Sequence, residues 1–406
     1  MRFLHTADWH IGKKLYGRER YEEHEKFFHW LLETIREEEI DVLLMAGDVF
    51  DTTTPGNRAQ ELYYNTLIGA SAAGCQHIVV IGGNHDSPSL LNAPKELCSA
   101  LNIHVVGCST SPDYEKEVIP LTGKSGEMEA VVCAVPYLRD RDLRSVAVGE
   151  SDEEKNKKYI KAISDHYSEV GKIASSLRAG TSMPIIGMGH LFTVEGKTGD
   201  GVRDLYVGNM AHLKATAFPD CFDYLALGHL HVPQTVAAMD HIRYSGSPIP
   251  MGFGEAGQQK QVVILDFKGR TPVVSTRDIP DFQALERVEG DFESIVGQLE
   301  LIAKHSPTAW VQVEYNGEPF PGNLRNELEL AIEGTGLEIR RVINQTNYQH
   351  TLSSFDHVET LQSMDSTEVF ERCLDSFEVP SAQRPALLTA YKEILLTAMA
   401  EDPEAG

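Results

Sequence analysis

The sequence predicts a layered α/β fold for roughly its first 270 residues. Short apolar runs of strand length alternate there with longer amphipathic stretches, which is the pattern of strands and helices packed in layers. Polar clusters rich in aspartate and histidine follow several of the apolar runs. These clusters predict a functional site at the ends of strands.

Six strands and three helices are predicted in this part of the chain. Apolar residues within Tyr21–Glu38 recur at the spacing of one helix face. The other two helices are predicted at Asn57–Ala73 and Asp152–Leu177. The strands are predicted at Arg2–Thr6, Val42–Ala46, His77–Ile81, Ala130–Val135, Pro184–Gly189 and Tyr224–Leu227.

The pattern changes after about Asp266, and it predicts a small α+β domain over residues 276–343, after a first domain of residues 1–275. That small domain is predicted to contain a helix at Phe292–Lys304, a strand at Ala309–Glu314 and a helix at Asn323–Glu333.

The last part of the chain predicts a linker followed by a helical hairpin. Residues 344–365 are polar and irregular, and residues 366–406 carry two apolar stripes at helical spacing. Val379-Pro380-Ser381 separates the stripes. The hairpin either packs on its own chain or docks on a partner, and the linker favours a partner.

Composition excludes several classes of protein. The 406 residues are 42% hydrophobic and 24% charged, which is typical of globular chains rather than disordered or fibrous ones. The longest charge-free stretch, from Leu62 to His85, is interrupted by polar residues and cannot supply a membrane span of about 20 apolar residues. The six cysteines form no CxxC pair, which favours reduced thiols in a cytoplasmic protein.

Charge limits the partners of the chain. It has 36 basic and 60 acidic residues, a net charge of −24, which is not typical of a sequence-independent binder of polyanions. Residues 281–406 carry 8 Lys and Arg against 23 Asp and Glu. Any contact with nucleic acid is therefore expected to be local, and protein partners suit the C-terminal third better.

Five polar clusters, each after an apolar run, predict a metal site. Carboxylate, amide and imidazole groups form a mixed donor set suited to Mn²⁺, Fe²⁺ or Zn²⁺, and seven such ligands suit two ions that share a bridge. Residues i and i+2 of a strand point to the same side, which explains the DxH and HxH spacings. The clusters are Asp8-Trp9-His10, Gly47-Asp48-Val49-Phe50-Asp51, Gly83-Asn84-His85-Asp86, Gly189-His190 and Gly228-His229-Leu230-His231.

In this order the clusters resemble the signature of the calcineurin-like metallophosphoesterase family. Four longer stretches are similar to the SbcD family of bacterial nuclease subunits, and the similarity runs the whole length of the chain. The resemblance implies a β-sandwich flanked by helices, a DNA-capping domain and a hairpin that grips an SMC-like ATPase, SbcC. The stretches are Leu4–Gly12, Ala46–Thr52, Val202–Gly208 and Tyr244–Pro248.

The resemblance also implies a role for each site residue. One divalent ion would be held by Asp8, His10 and His231, a second by Asn84, His190 and His229, with Asp48 bridging both. Mn²⁺ is the expected ion, with Mg²⁺, Fe²⁺ and Zn²⁺ as alternatives.

His85 would be the catalytic histidine. Archaeal and eukaryotic relatives have a second histidine where this chain has Asp51. Asp51 instead fits the GDxxD pattern, in which a carboxylate on one ring nitrogen orients the catalytic histidine.

The function implied is a metal-dependent DNA exonuclease and endonuclease that acts with the ATPase in DNA end processing, repair, recombination and replication. A homodimer within a heterotetramer is expected. Two alternatives stay open: a small-substrate metallophosphatase or cyclic-nucleotide phosphodiesterase, and an inactive scaffold. Thr52 follows Asp51 where a protein phosphatase would have Arg-Gly, and a scaffold would not need all seven ligands and His85.

Two groups of residues keep two interpretations each. Tyr16, Arg18 and Arg20 either line a substrate groove or belong to a plain loop. The basic residues within 139–158 form either a solvated helix face or a phosphate-contacting patch.

Overall fold

The structure, a computed structural model, describes residues 1–143, 151–193, 213–320 and 322–345, together with positions 370, 374, 384, 385 and 387–391. The chain divides into two compact units. The first comprises Met1–Arg287 and Thr308–Val311, and the second comprises Val288–Pro307 and Gln312–Gly406.

The strands and helices of the described residues are numbered in chain order. The strands are β1 (Phe3–Thr6), β2 (Lys14–Leu15), β3 (Arg18–Glu19), β4 (Val42–Ala46), β5 (His77–Ile81), β6 (Ile103–Val106), β7 (Val118–Thr122), β8 (Met128–Ala134), β9 (Ile185–His190), β10 (Tyr224–Gly228), β11 (Gln234–Val236), β12 (Met239–Tyr244), β13 (Gln261–Lys268), β14 (Thr271–Asp278), β15 (Leu285–Gly290), β16 (Trp310–Tyr315) and β17 (Glu338–Asn344). The α-helices are α1 (Tyr21–Glu37), α2 (Asn57–Ala73), α3 (Pro88–Asn92), α4 (Lys95–Ser99), α5 (Asp140–Leu143), α6 (Asp152–Arg178), α7 (Phe292–His305) and α8 (Leu324–Ala331).

Two six-stranded sheets form the centre of the first unit. The first sheet has the order β14-β13-β1-β4-β5-β6, in which β1, β4, β5 and β6 run parallel. The second has the order β11-β12-β10-β9-β8-β7, in which β12, β10, β9 and β8 run parallel. The other neighbours pair antiparallel, so each sheet is mixed.

Apolar side chains from both sheets form one core between them. This core includes Phe3, Leu44 and Val79 from the first sheet and Ile186, Met188 and Ala226 from the second. Continuous burial of β4 and β5 fits their apolar sequences, because both faces of these strands are covered. The two sheets therefore form the predicted β-sandwich.

Helices cover the outer faces of the sandwich. The buried face of α1, which includes Phe27, Leu31 and Ile35, joins a core with the first sheet and α2. Helix α6 packs Tyr167 and Val170 against the second sheet. A capping box at Ser151 begins α6, since Ser151 Oγ accepts from the N–H of Glu154 and so satisfies an end group of the helix. The helices complete a layered α/β/β/α architecture.

The sequence patterns located the early strands but missed several later ones. Val42–Ala46, His77–Ile81 and Asn57–Ala73 have the predicted bounds, whereas β12, β13 and β14 were not predicted. The boundary predicted between residues 275 and 276 falls inside β14, which pairs with β13 along its whole length. The first unit instead continues to Arg287, because β14 completes the first sheet.

A third sheet, in the order β15-β16-β17, belongs mainly to the second unit, together with α7 and α8. Asp291 and Asn323 cap these helices by accepting main-chain N–H hydrogen bonds at 2.9 and 3.3 Å. Ile295 and Leu299 of α7 are buried. This α+β arrangement agrees with the elements predicted between 292 and 333.

Most of the predicted linker 344–365 and hairpin 366–406 lies outside the described residues. The described positions there are helical, and the rings of Phe370 and Tyr391 stack with centroids 4.1 Å apart. Arg384 donates a hydrogen bond to the carbonyl oxygen of Leu374. These two contacts join the two segments that the apolar stripes assign to a hairpin.

A search of the described residues for membrane-spanning segments finds no helix with the required length and apolar composition.

Candidate metal centre

All nine sequence-predicted site residues lie in one region, where strands of both sheets end. Asp8 and His10 follow β1, Asp48 and Asp51 follow β4, and Asn84 and His85 follow β5. From the second sheet, His190 ends β9 and His229 and His231 follow β10. Because neighbouring parallel strands end at the same edge of a sheet, the polar clusters of separate strands meet there.

The backbone at several of these residues is strained. Asp8, His10, Asp48 and His229 have φ angles of +52°, +46°, +52° and +101°. Such angles cost roughly 1–3 kcal/mol for residues other than glycine, and they cluster at functional sites. Gly228 permits a close approach of two strands, because a Cβ atom there would lie 2.0 Å from the Ala46 carbonyl oxygen.

A first group of potential ligands consists of Asp8, His10 and His231. Each offers one ligand atom, and these three atoms lie within 4.8 Å of one another. All three side chains are buried. The main-chain N–H of His229 donates to both carboxylate oxygens of Asp8, at 2.9 and 3.1 Å, and so fixes that carboxylate.

A second group consists of Asp48, His190 and His229, whose ligand atoms also lie within 4.8 Å of one another. Asn84 belongs beside it, since its Oδ1 atom lies 2.9 Å from His190 Nε2 and 3.0 Å from His229 Nδ1. Nδ1 of His190 donates to the Ala46 carbonyl oxygen at 2.9 Å, which leaves Nε2 facing the site.

Asp48 lies between the two groups. Its Oδ2 atom is 3.3 Å from His190 Nε2 and 3.5 Å from His10 Nε2, so one carboxylate reaches a histidine of each group. Its Oδ1 atom accepts the main-chain N–H of His85 at 2.9 Å. This is the arrangement expected of a bridging carboxylate.

The electrostatics of the site favour bound cations. Burial, reinforced by Asp48, raises the pKa of Asp8 to about 6 against the opposing effect of His190 and His231. Burial alone would lower the pKa of His190, but Asp48 and Asp8 outweigh it and raise the pKa to about 9. The site therefore concentrates negative charge that divalent ions would offset.

Several buried nitrogen atoms of the site lack hydrogen bonds within the described part of the chain. They are Nδ1 and Nε2 of His10 and Nδ1 of His231. Buried polar atoms are rarely left in this state unless an ion or a water completes them. The two Nδ1 atoms lie beside carboxylate oxygens, 3.3 Å from Asp51 and 3.5 Å from Glu255, so Nε2 of His10 is the atom that an ion would complete. With the mixed oxygen and nitrogen donors around it, this atom fits a divalent metal ion.

His85 lies at the rim of the two groups, half-buried, with its ring centroid 4.9 Å from that of His10. Its Nδ1 atom is 2.8 Å from the main-chain carbonyl oxygen of Asp51. The Asp51 carboxylate makes its closest contacts with His10 Nδ1, at 3.3 Å, and Lys13 Nζ, at 3.1 Å, and one of its oxygens lies within 4.8 Å of a His85 ring nitrogen. The hydrogen bond to His85 Nδ1 that was expected from this carboxylate is made instead by the main-chain carbonyl oxygen of the same residue.

Sequence comparisons agree with this geometry. The family model for calcineurin-like phosphoesterases matches residues 1–233, and the model for the type 5 capsule protein repressor C-terminal domain, SbcD_C, matches residues 281–377. The SbcD subunit of the SbcCD nuclease of Escherichia coli strain K12 is 34% identical over 404 residues, which cover 99% of each chain. That of Bacillus subtilis strain 168 is 38% identical over 272 residues, 66% of each chain. The chain belongs to the SbcD family of calcineurin-like phosphoesterases. It is accordingly a metal-dependent hydrolase whose centre uses divalent ions.

One acidic residue of this SbcD-family site had no role assigned from the sequence. Asp86, which directly follows His85, is fully buried and accepts the main-chain N–H groups of Val49, Phe50 and Gly83 at 2.8–3.1 Å. It thereby joins the loops after β4 and β5. The only indication of this role in the sequence was the position of Asp86 at the end of the third polar cluster.

A second acidic residue, Glu255, was missed altogether. Its Oε1 atom lies 3.5 Å from His231 Nδ1, and its Oε2 atom accepts from Lys260 Nζ at 2.6 Å. Burial would raise the pKa of Glu255, but His231 and Lys260 outweigh it and lower the pKa to about 2. No spacing rule links Glu255 to the polar clusters, because it lies in a separate turn.

Three of the residues with two open interpretations have clear contacts in the structure. Arg20 is fully buried and pairs with Glu23, so it belongs neither to a groove nor to an exposed loop. Tyr16 is 46% exposed and stacks on Phe253. Arg139 donates to the carbonyl oxygen of Asp86, the residue that follows His85 in the chain, at 2.9 Å.

Proposed function

We propose that the chain is a DNA nuclease subunit that hydrolyses phosphodiester bonds with two Mn²⁺ ions. The observation that carries this proposal is the position of Asp48, whose Oδ2 atom lies within 3.5 Å of both His190 and His10. A carboxylate between two donor groups suits a pair of ions better than one ion.

Each ion would have its own ligands. Asp8, His10 and His231 would hold one, and the second would be held by Asn84, His190 and His229, with Asp48 shared. When bound, such a pair activates the attacking water and neutralises charge on the phosphate oxygens. The hydrogen bonds from His229 to Asp8 and from His190 to Ala46 keep two of these ligands in fixed orientations.

His85 would protonate the leaving oxygen of the phosphodiester. Its Nδ1 atom donates to the Asp51 carbonyl oxygen, which leaves Nε2 to carry the transferred proton. General acid catalysis of this kind contributes about 10²–10⁴-fold. Arg139, which donates to the carbonyl oxygen of Asp86, the residue after this histidine, would contact a phosphate.

The partner would be an SMC-like ATPase of the SbcC type. The Escherichia coli relative is named as a subunit of the SbcCD nuclease, and it matches this chain over 99% of both lengths. The hairpin would dock on the ATPase, which agrees with the contact between Phe370 and Tyr391. A homodimer of this chain within a heterotetramer, working on DNA ends in the cytoplasm, completes the proposal.

Substrate preference tests this function. The full chain with Mn²⁺ should cleave DNA, and it should cleave p-nitrophenyl phosphate esters far more slowly. The Asp48→Asn variant serves as the control for contaminating nucleases and should be inactive. Preference for the small esters would support a phosphatase, and no hydrolysis of either substrate would support a scaffold.

A further inference from the structure

The main chain of His231 is held by the segment from Ser245 to Lys260. The main-chain N–H of Ser247 donates to the His231 carbonyl oxygen at 3.2 Å, and Lys260 Nζ donates to the same oxygen at 2.9 Å. Gly246 has a φ of +78°, and a Cβ atom there would lie 2.7 Å from that oxygen. Only glycine therefore allows this segment to approach His231 so closely.

The same segment brings a carboxylate to the His231 ring. Glu255 Oε1 lies 3.5 Å from Nδ1 of His231, and neither atom has a hydrogen-bond partner among the described residues. Glu255 Oε2 accepts from Lys260 Nζ at 2.6 Å and from the N–H of Met251 at 2.9 Å. Because the second oxygen is anchored twice, the first is held towards the imidazole.

Glu255 and Lys260 form an ion pair that is almost completely inaccessible to solvent. Glu255 is 1% exposed and Lys260 is 4% exposed. Taking two charges out of water costs several kcal/mol per ion, so a buried pair is often no more stable than apolar residues of the same volume. Its place against His231 therefore suggests a role beyond stability.

A second buried ion pair holds the turn that carries Glu255. Arg20 donates to Glu23 Oε1 at 2.8 Å and also to the carbonyl oxygen of Pro250. Arg20 and Glu23 are 1% and 5% exposed. This pair fixes the turn between Ser247 and Glu255 without contacting a proposed metal ligand itself.

We propose that Glu255 is a positioning residue for His231. Its carboxylate keeps the hydrogen on Nδ1, so that Nε2 is the nitrogen presented to the metal, and it strengthens that nitrogen as a donor. Lys260 keeps the carboxylate in place through its hydrogen bond to Oε2. The inference rests on the proposed function, which makes His231 a ligand of one ion.

Calorimetric titration of the metal-free full chain with Mn²⁺ tests this role. Glu255→Gln should weaken one of the two Mn²⁺ binding steps by about 10–100-fold and leave the other unchanged. Glu23→Gln is the matched control, because it makes the same substitution at a buried carboxylate of the same network. It should lower thermal stability but keep both wild-type Mn²⁺ affinities.

The visible absorption of bound Co²⁺ gives a second readout, since its bands report the ligands of the ion directly. Glu255→Gln should alter the Co²⁺ spectrum and Glu23→Gln should not. If Glu255→Gln fails to fold, Glu255→Asp replaces it, because the shorter side chain keeps the charge but withdraws it from His231. Weakened binding in Glu255→Asp would support the role in the same way.

The proposal is overturned if the Glu255 variant that folds keeps both Mn²⁺ affinities and the wild-type Co²⁺ spectrum. It is also overturned if Glu23→Gln weakens binding equally, since the network would then act only through the fold. Failure of the proposed function gives a different result. In that case the wild-type chain itself would not bind two Mn²⁺ ions or cleave DNA.

Discussion

The Nδ1 atom of His85 lies 2.8 Å from the main-chain carbonyl oxygen of Asp51. A carbonyl oxygen only accepts hydrogen bonds, so Nδ1 carries the hydrogen and Nε2 is the nitrogen left for proton transfer. Because the main chain makes this contact, the hydrogen bond on Nδ1 of His85 does not require the carboxylate of Asp51.

Replacing His85 by glutamine should separate metal binding from turnover. His85→Gln keeps the main-chain N–H that donates to Asp48 Oδ1, so the bridging carboxylate should stay in place and Mn²⁺ affinity should not change. DNA cleavage should fall by about 10²–10⁴-fold, the contribution of a general acid. Single-turnover cleavage and calorimetric Mn²⁺ titration measure the two effects. A wild-type cleavage rate would remove His85 from the mechanism.

Replacing Asp51 by asparagine should act through His10. Burial would raise the pKa of Asp51, but His10 and Lys13 outweigh it and lower the pKa to about 2, so the carboxylate is ionised at neutral pH. Its loss should weaken Mn²⁺ binding at the group containing His10 by about 10–100-fold. The control, Lys13→Met, leaves the carboxylate on His10 and should have little effect on affinity. Unchanged Mn²⁺ affinity with slower turnover in Asp51→Asn would instead support a direct effect on His85.

His5 should make the first unit less stable in mild acid. It lies between the sheets, with Nδ1 3.1 Å from the Tyr224 hydroxyl oxygen and Nε2 3.2 Å from the Leu227 carbonyl oxygen. Burial lowers the pKa of His5 to about 3 in the folded state, although the Leu227 carbonyl opposes the shift. The unfolded chain therefore binds the proton first, and the stabilisation by neutral His5 is complete above about pH 6.5 and is lost as the pH falls.

The free energy of unfolding should fall by about 1.4 kcal/mol between pH 7.5 and pH 5.5. This is the effect of one pH unit below the pKa of histidine in the unfolded chain, about 6.5. Calorimetric melting of the metal-free wild type and of His5→Gln measures this change in stability. The other buried histidines contribute equally to both proteins, so their effects cancel in the comparison. The melting temperatures of the two proteins should converge as the pH falls. A constant difference between them would contradict this role of His5.

Truncation after Met364 should separate catalysis from partner binding. All the proposed ligands lie between Asp8 and His231, so the truncated chain should still bind two Mn²⁺ ions and cleave single-stranded DNA. Association with the SMC-like ATPase should be lost, because the two apolar stripes of the hairpin are removed. Co-purification and cleavage assays measure these outcomes. An aggregated, inactive product would mean that the stripes pack on this chain instead.

Sequence patterns predicted which side chains come together, because each cluster lies at the end of a strand or directly after it. Asp8, His10, His229 and His231 lie in the loops directly after β1 and β10, outside the strand geometry that their spacing suggested. The parallel strands that precede these loops bring the clusters together. Contacts made by the main chain were not predictable in this way. The contact between His85 and the Asp51 carbonyl oxygen depends on how two loops fold, and the residue types alone favoured the carboxylate.

Partners contributed by a distant turn were also missed. Glu255 lies 24 positions after His231, outside any spacing pattern, and reaches it only because Gly246 lets the turn fold back. Arg20 was expected in a substrate groove or a plain loop, but it is buried, as arginine rarely is unless it is paired. Its partner Glu23 lies one helical turn away, which was visible in the sequence, but its burial depended on the turn at Pro250.

Anomalous diffraction from crystals of the full chain grown with Mn²⁺ tests the two-ion centre most directly, because it locates the ions themselves. We expect two peaks roughly 3.5–4 Å apart, with the Asp48 carboxylate between them. One peak should lie against Asp8, His10 and His231 and the other against Asn84, His190 and His229. A single peak, or two peaks that leave Asp48 uncoordinated, would contradict the two-ion centre.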